Sequence, residues 1–240
     1  MAKHVPKYEV PESAPAPEPV ETPKQSPFFD LHNWDGELRL RVRSSLSPAY
    51  KALVRDWESC ERCPLYGTRE TVLFARGTLP ADVVFVSEHP TSLDESDGFP
   101  LAGPLGRLFD TLLRDVEKHK PGWAWAIVEP LGCVPWQQIE TSQYKQSTLA
   151  ELVPCDPRFV GLLKLANPSG IVLLGKNVEN YWVTNGPRIN LELGRKIPTC
   201  YSHHPREILR QGGASRTNEM YLNTIQNLKR FVFNTLNLGK

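Results

Sequence analysis

Hydrophobic and polar positions along this chain follow two periods, one of strands and one of helices. The densest segment is VVFVSEHPTSLDESDGFPLAGPLGRLFDTLL, residues 83–113. It begins as a β-branched and aromatic run and breaks at Pro90 into a polar loop holding Asp94, Glu95 and Asp97. It then crosses Gly98, Gly103 and Gly106 and becomes an amphipathic helix. That helix is expected over Pro104–Lys118, where Leu105, Leu108, Phe109, Leu112, Leu113 and Val116 make one stripe. Further strands are expected at Trp125–Val128, Ile171–Leu174 and Ile197–Tyr201. Ser47 and Pro48 read as a helix start, with the helix running through Leu53 and Trp57 to a C-x-x-C pair. A second helix is expected over Pro157–Ala166, capped by Asp156. A last one runs from about Thr217 to Phe233, with Tyr221, Ile225, Leu228 and Val232 on its apolar face. Strands separated by helices predict a three-layer α/β/α sandwich around a central, mainly parallel four-stranded sheet. Loops leaving the carboxyl ends of such strands form the ligand crevice, which places chemistry at Glu88 and His89.

The flanks change the picture little. Residues 1–27 hold seven of the 22 prolines and read as a disordered tail or tether for a protein partner, leaving 28–240 as one domain. Residues 28–46 include the alternating ELRLRVR, a short strand or capping segment. No run of 18 apolar residues exists and the N-terminus lacks an apolar signal centre, so no membrane contact and a cytoplasmic monomer are expected. The formal net charge is only +1, but residues 186–240 carry nine Lys and Arg against three Asp and Glu, a surface suited to a polyanion. Five cysteines form no secreted disulfide framework. Cys60 and Cys63 make the C-x-x-C pair, Cys133 and Cys155 lie far downstream, and Cys200 in IPTCY reads as a buried structural thiol. Thiolates in such a set suit a metal site, zinc or an iron–sulfur cluster equally.

The order of these features resembles the iron–sulfur (family 4) uracil-DNA glycosylases, over about Cys60 to Arg210. The chain has Cys60-Glu-Arg-Cys63. It continues with Ser87-Glu88-His89-Pro90-Thr91, the acidic pair Asp94-Glu95, and GFPLAGPLG before Leu108-Phe109-Asp110. Glu129 stands four residues before Cys133, Cys155 follows, and a strand ends in His203-His204-Pro205-Arg206 with Ile208-Leu209-Arg210 behind it. The resemblance implies a [4Fe–4S] cluster on Cys60, Cys63, Cys133 and Cys155, with zinc the alternative. It implies a DNA glycosylase that flips a base and hydrolyses its N-glycosidic bond in repair. Glu88 would serve the sugar cation or its attacking water, and His204 the base oxygen where charge builds.

Gly103 and Gly106 would let backbone amides approach a DNA phosphate at the helix start. Arg206 and Arg210, in the loop after His204, would contact others. Leu101 stands where the family stacks a Phe, with Phe99 two residues earlier as a substitute. Glu129 stands where the family reads uracil with Asn. An ionised carboxylate only accepts, so it would oppose a carbonyl oxygen and favour an exocyclic amine such as that of cytosine or adenine. These departures leave a second expectation open: a glycosylase fold that has lost catalysis and binds DNA, single- or double-stranded, or a repair partner.

Overall fold

Four residues, Val83–Val86, form the central strand, β2, and every one is fully buried. A computed structural model describes residues 47–118, 122–135 and 147–238, so the expected tail and the ELRLRVR segment lie outside the described residues. In β2 the side chains divide with the period of two that a strand imposes. Val84 and Val86 join one core cluster, Val83 and Phe85 the other. The strand is flanked on both sides by parallel neighbours, β3 (Trp125–Val128) and β4 (Gly170–Leu174), and β5 (Thr199–Ser202) pairs in parallel outside β4. Both faces of such a sheet must be covered, which explains continuous apolar runs in place of alternation.

The sheet has five strands and not the four expected. A three-residue strand, β1 (Ala75–Gly77), pairs antiparallel with β3, giving the order β1-β3-β2-β4-β5. Only three residues long and centred on Arg76, it carries no apolar run for periodicity to register.

One face is covered by α1 (Pro48–Trp57), α4 (Leu149–Ala166) and α5 (Lys176–Glu192), through Phe159, Leu162, Leu163, Val178, Trp182 and Ile189. The other is covered by α3 (Gly103–Glu117), α6 (Pro205–Arg210) and α7 (Glu219–Lys229), through Leu108, Phe109, Leu112, Ile208, Tyr221 and Leu228. The three-layer α/β/α expectation is therefore met, as are the stripe on α3 and the closing helix. That helix changes to a π-helical turn over Arg230–Thr235.

Five local readings need correcting. The polar loop after Pro90 contains a short helix, α2 (Ser92–Asp97), opened by a reciprocal capping box between Thr91 and Asp94. The helix expected from Pro157 begins eight residues earlier, at a box between Thr148 and Glu151. Pro154 and Pro157 lie inside it, removing bonds to the carbonyls of Ala150 and Val153. Both of those residues are exposed, so water can serve the freed carbonyls while Cys155, Arg158 and Phe159 stay buried. Residues 176–192, unassigned from the pattern, form α5 with Gly186 and Pro187 in its interior, and Arg206 and Arg210 lie on α6 and not in a loop. Cys200 is half-buried and not a core thiol.

Candidate active site

Three neighbouring strands deliver their carboxyl ends to one place. Beyond β2 come Ser87, Glu88 and His89; beyond β4 come Gly175, Lys176 and Asn177; beyond β5 come His203 and His204. Glu88, Gly175, Asn177, His204, Arg206 and Arg210 line one cleft of about 480 Å³, open mouth included, within the range of ligand sites. The structure thus brings the sequence-predicted pair Glu88 and His204 together, with both expected arginines beside them.

Glu88 is fixed by a neighbour that sequence reasoning missed. Asn177 donates from Nδ2 to Glu88 Oε1 at 2.6 Å. His89 Nε2 lies 3.8 Å from the same oxygen, while His89 Nδ1 donates to the Pro90 carbonyl at 3.0 Å. A signal for Asn177 was present: Gly175 directly follows the apolar run GIVLL, which marks a second βα turn at the crevice.

His204 is 7% exposed and caps α6. Its Nδ1 accepts the Arg206 amide at 3.1 Å, and Glu207 accepts the His204 amide at 3.0 Å. A ring nitrogen that accepts cannot carry the proton, so this assignment puts the proton of the neutral ring on Nε2, 3.4 Å from Ser87 Oγ. Burial, followed by Arg206 and His89, pushes the His204 pKa down to about 3, so the ring is neutral at pH 7. Gly175 makes room for it. Its φ of +91° favours glycine, and a Cβ there would stand 3.1 Å from His204 Cβ.

Glu129 directly follows β3, next to Ser87, because Val128 and Val86 are register partners. It is 1% exposed, and neither carboxyl oxygen has a hydrogen-bond partner of good geometry. Burial first, then Asp94, raises its pKa well above the carboxylate range. Glu88 adds to the rise, while Arg158 and the Ser87 hydroxyl oppose it. Where the sequence alone suggested an accept-only carboxylate at Glu129, burial and the neighbouring Asp94 shift it towards its protonated form. Its main chain is pinned by the buried Arg158, whose Nη2 donates to the Glu129 carbonyl at 2.6 Å and Nη1 to that of Leu73 at 2.8 Å.

The remaining predicted residues lie apart from the cleft lining. Leu101 is buried in the core under α3 with φ +51°, and its carbonyl accepts from Arg76 Nη1 at 2.8 Å. Phe99 is buried with the Arg76 guanidinium 5.4 Å from its ring centroid. Gly106 serves packing, since a Cβ would meet the Leu101 carbonyl oxygen at 1.9 Å and its own amide donates to Ala102. Gly103 opens α3, but the anion found at that opening is internal: Asp94 Oδ1 accepts the Ala102 amide.

Cys60, Cys63, Cys133 and Cys155 line one small cavity with Trp57 and Leu131. Cys60 follows α1, Cys63 caps a 3-10 turn, Cys133 follows β3, and Cys155 lies within α4. Among the described residues, no three His, Cys, Asp or Glu side chains are disposed to hold a single metal ion. The donor chemistry nevertheless fits a thiolate-bound group. Gly132 N–H and Arg158 Nε point at Cys155 Sγ from 3.4 and 3.3 Å, the kind of N–H···S contact that stabilises ligating sulfur. Burial, with Cys155 nearby, pushes the Cys133 thiol up to about 12, a proton that a bound metal would displace.

A family profile described as "Uracil DNA glycosylase superfamily" matches residues 74–229, most of the described chain. The chain belongs to this superfamily. As a superfamily member it is 25% identical over 170 residues to the type-4 uracil-DNA glycosylase of Archaeoglobus fulgidus, covering 65% of this chain and 81% of that one. It is 23% identical over 123 residues to the type-4 uracil-DNA glycosylase of Sulfurisphaera tokodaii, covering 51% of this chain and only about half, 53%, of that one. A solution NMR structure of a Methanosarcina acetivorans protein overlays with a TM-score of 0.40 at 9% identity, covering 63% of this chain and 91% of that one. The superfamily match spans the strand ends that carry Glu88, Glu129, Asn177 and His204. Among the described residues no helix is long and apolar enough to cross a membrane.

Proposed function

We propose that this chain is a DNA glycosylase that hydrolyses the N-glycosidic bond of a flipped base of the uracil class. The observation carrying this reading is that Glu88, held by Asn177, and a neutral His204 face one cleft at the carboxyl ends of the sheet. Cleavage of a glycosidic bond spreads positive charge over the sugar and negative charge over the leaving base. The Glu88 carboxylate serves the sugar side, by direct attraction and by orienting the attacking water. On the base side His204 presents Nε2–H, giving up Ser87 Oγ to donate to the base oxygen. A neutral imidazole suits this task because the Arg206 amide on Nδ1 fixes the tautomer that carries Nε2–H, which can then donate to the developing charge. Arg206 and Arg210, on the rim of the same cleft, are the groups offered to DNA phosphates.

Cys60, Cys63, Cys133 and Cys155 are the ligands this reading assigns to a [4Fe–4S] cluster, with zinc the alternative set by the same thiolates. The role assigned to the group is structural. It would join α1, the segment after β3 and α4 at one point, from which Arg158 reaches the Glu129 carbonyl.

One observation favours a second reading. Among the described residues, no aromatic side chain lines the cleft shared by Glu88 and His204, so a flipped base has no stacking platform there. A fold that binds DNA without cutting would tolerate this. The deciding experiment incubates metal-loaded protein with single- and double-stranded oligonucleotides carrying one uracil, followed by alkaline cleavage at abasic sites. Strand scission that is lost in Glu88→Gln and His204→Ala is the expected result. A strand that binds yet stays whole for every base tried would replace this reading with the non-catalytic one.

A further inference from the structure

Arg158 stands where a helix packed on a sheet ordinarily carries an apolar side chain. It lies on the buried face of α4 beside Phe159, is 0% exposed, and is one of the largest fully buried side chains. A buried guanidinium brings its charge into the core, and a buried charge is normally met by an opposite one. Among the described residues no carboxylate touches it. Its Nη1 donates to the Leu73 carbonyl at 2.8 Å, and its Nη2 to those of Glu129 at 2.6 Å and Pro130 at 3.4 Å. The remaining donor, Nε, points at Cys155 Sγ from 3.3 Å. The Glu129 carboxyl is near enough to feel the charge, yet none of these donors reaches it. Carbonyls supply dipoles and no net charge, which leaves the sulfur.

The neighbourhood is built around this guanidinium. A Cβ on Gly132 would stand 2.6 Å from Arg158 Nε and 2.7 Å from its Cζ, and a group held by four hydrogen bonds does not step aside cheaply. The backbone of Gly132 is not left-handed, so the need for glycine comes from the arginine and not from a turn. The same glycine supplies a second donor, its amide pointing at Cys155 Sγ from 3.4 Å, and Cys133 follows it directly. Its carbonyl accepts the Leu73 amide at 2.7 Å, so Leu73, Gly132 and Arg158 form one tie around the sulfur.

Four thiolates outweigh the double positive charge of a zinc ion or of an oxidised cluster core, so a loaded centre on Cys60, Cys63, Cys133 and Cys155 is an anion. We propose that Arg158 is the internal counter-charge of this centre and the strut that ties it to the turn at Glu129 and Pro130. This rests on the thiolate-centre assignment above and goes beyond it. A side chain that donates to a ligating sulfur fixes that ligand's orientation and balances its charge, and Arg158 carries the position of the sulfur on to two carbonyls at the strand end. Pro130 lines a groove that shares Glu88 and Asn177 with the cleft, so the far end of the strut stands at the cleft wall. Arg158 is thus a positioning residue.

The test loads the full-length protein and its variants with iron and sulfide, or with zinc, and follows release of the metal to a chelator in protein whose circular dichroism is native. Arg158→Met, similar in length but uncharged, should release metal roughly 10–100-fold faster than wild type, the usual cost of removing a ligand's hydrogen-bonding partner. Arg158→Lys, which keeps the charge and loses the fork, should recover part of that loss. A packing role predicts the reverse order, so release from Arg158→Met no faster than from Arg158→Lys overturns the proposal. Gly132→Ala drives the guanidinium off the sulfur and should also speed release, while adding little in the Arg158→Met background. Release from Gly132→Ala at the wild-type rate overturns the proposal even where Arg158→Met does not fold. Glu129→Gln should leave release unchanged; a rise matching that of Arg158→Met would make Glu129 the counter-charge instead. Wild type that holds neither iron nor zinc ends the thiolate-centre assignment and the proposal with it, whereas metal held equally by wild type and Arg158→Met ends the role of Arg158 alone.

Discussion

Asn177 Nδ2 donates to Glu88 Oε1 across 2.6 Å, joining the turn after β4 to the turn after β2. A hydrogen bond to a charged group is worth about 1.5–3 kcal/mol, so its loss corresponds to roughly 10–100-fold. Asn177→Ala should lower uracil excision by about that factor, mainly in kcat, because Glu88 loses its orientation and not its charge. Single-turnover kinetics with the Asn177→Asp variant beside it would check this. A second carboxylate facing Oε1 should do worse than alanine.

His204 links activity and stability to pH through its depressed pKa of about 3. The unfolded ring titrates near 6.5, so the unfolded state takes up a proton first as pH falls. Stability is fully present above about pH 6.5 and is lost as pH drops towards 3, at up to roughly 1.4 kcal/mol per unit. Urea unfolding at pH 7 and pH 4.5 should show a steeper loss for wild type than for His204→Gln. No limb near pH 6.5 from this ring should appear in kcat.

Arg76 on β1 pairs with Asp110 on α3 through two bonds of 2.7 and 2.6 Å, both side chains buried. Burial raises the Asp110 pKa while Arg76 opposes the rise. Removing one partner strands the other charge, so Arg76→Met or Asp110→Leu alone should cost about 3–5 kcal/mol. The double variant should recover much of that loss. Denaturant midpoints of the four proteins form the cycle that measures the coupling.

Cys60, Cys63, Cys133 and Cys155 should bind together or not at all. Metal analysis and acid-labile sulfide on protein purified without oxygen should give about four irons and four sulfides per chain for a [4Fe–4S] cluster, against about one zinc for the alternative. Cys155→Ser should lose most of the metal and lower Tm. Cys200→Ser should leave the metal content unchanged, since Cys200 lies on β5 and outside that cavity.

Gly175→Ala tests the packing of the turn against the histidine. A Cβ at φ +91° and 3.1 Å from His204 Cβ strains the backbone and presses on the ring. The expected outcome is a loss of about 1–3 kcal/mol in stability together with a fall in excision, read by thermal unfolding and by the uracil assay.

Much of the scaffold is determined by the sequence alone. Runs such as VVFV and GIVLL, short and rich in β-branched residues, read as strands buried on both faces, and the stripe from Leu105 to Val116 reads as a helix lying on them. The order of those elements then dictates a parallel sheet, and the crevice rule points to Glu88. The motif order likewise named His204 and the four cysteines, which share a cleft and a cavity respectively. Short or mixed elements escaped: β1 is three residues around an arginine, and α5 carries Gly186 and Pro187 with a weak apolar stripe. Tertiary structure alone decided protonation and partnership. Whether Glu129 is charged depends on Asp94 and Glu88, 35 and 41 residues away in the chain, and on the water that packing removes around it. The state of His204 depends on the Arg206 amide and on burial beneath the cleft, and the hold on Glu88 comes from Asn177, 89 residues along the chain. Local sequence sets which groups a strand end presents. The dielectric around them and the donors within reach are properties of the folded neighbourhood, and these set what the groups can do.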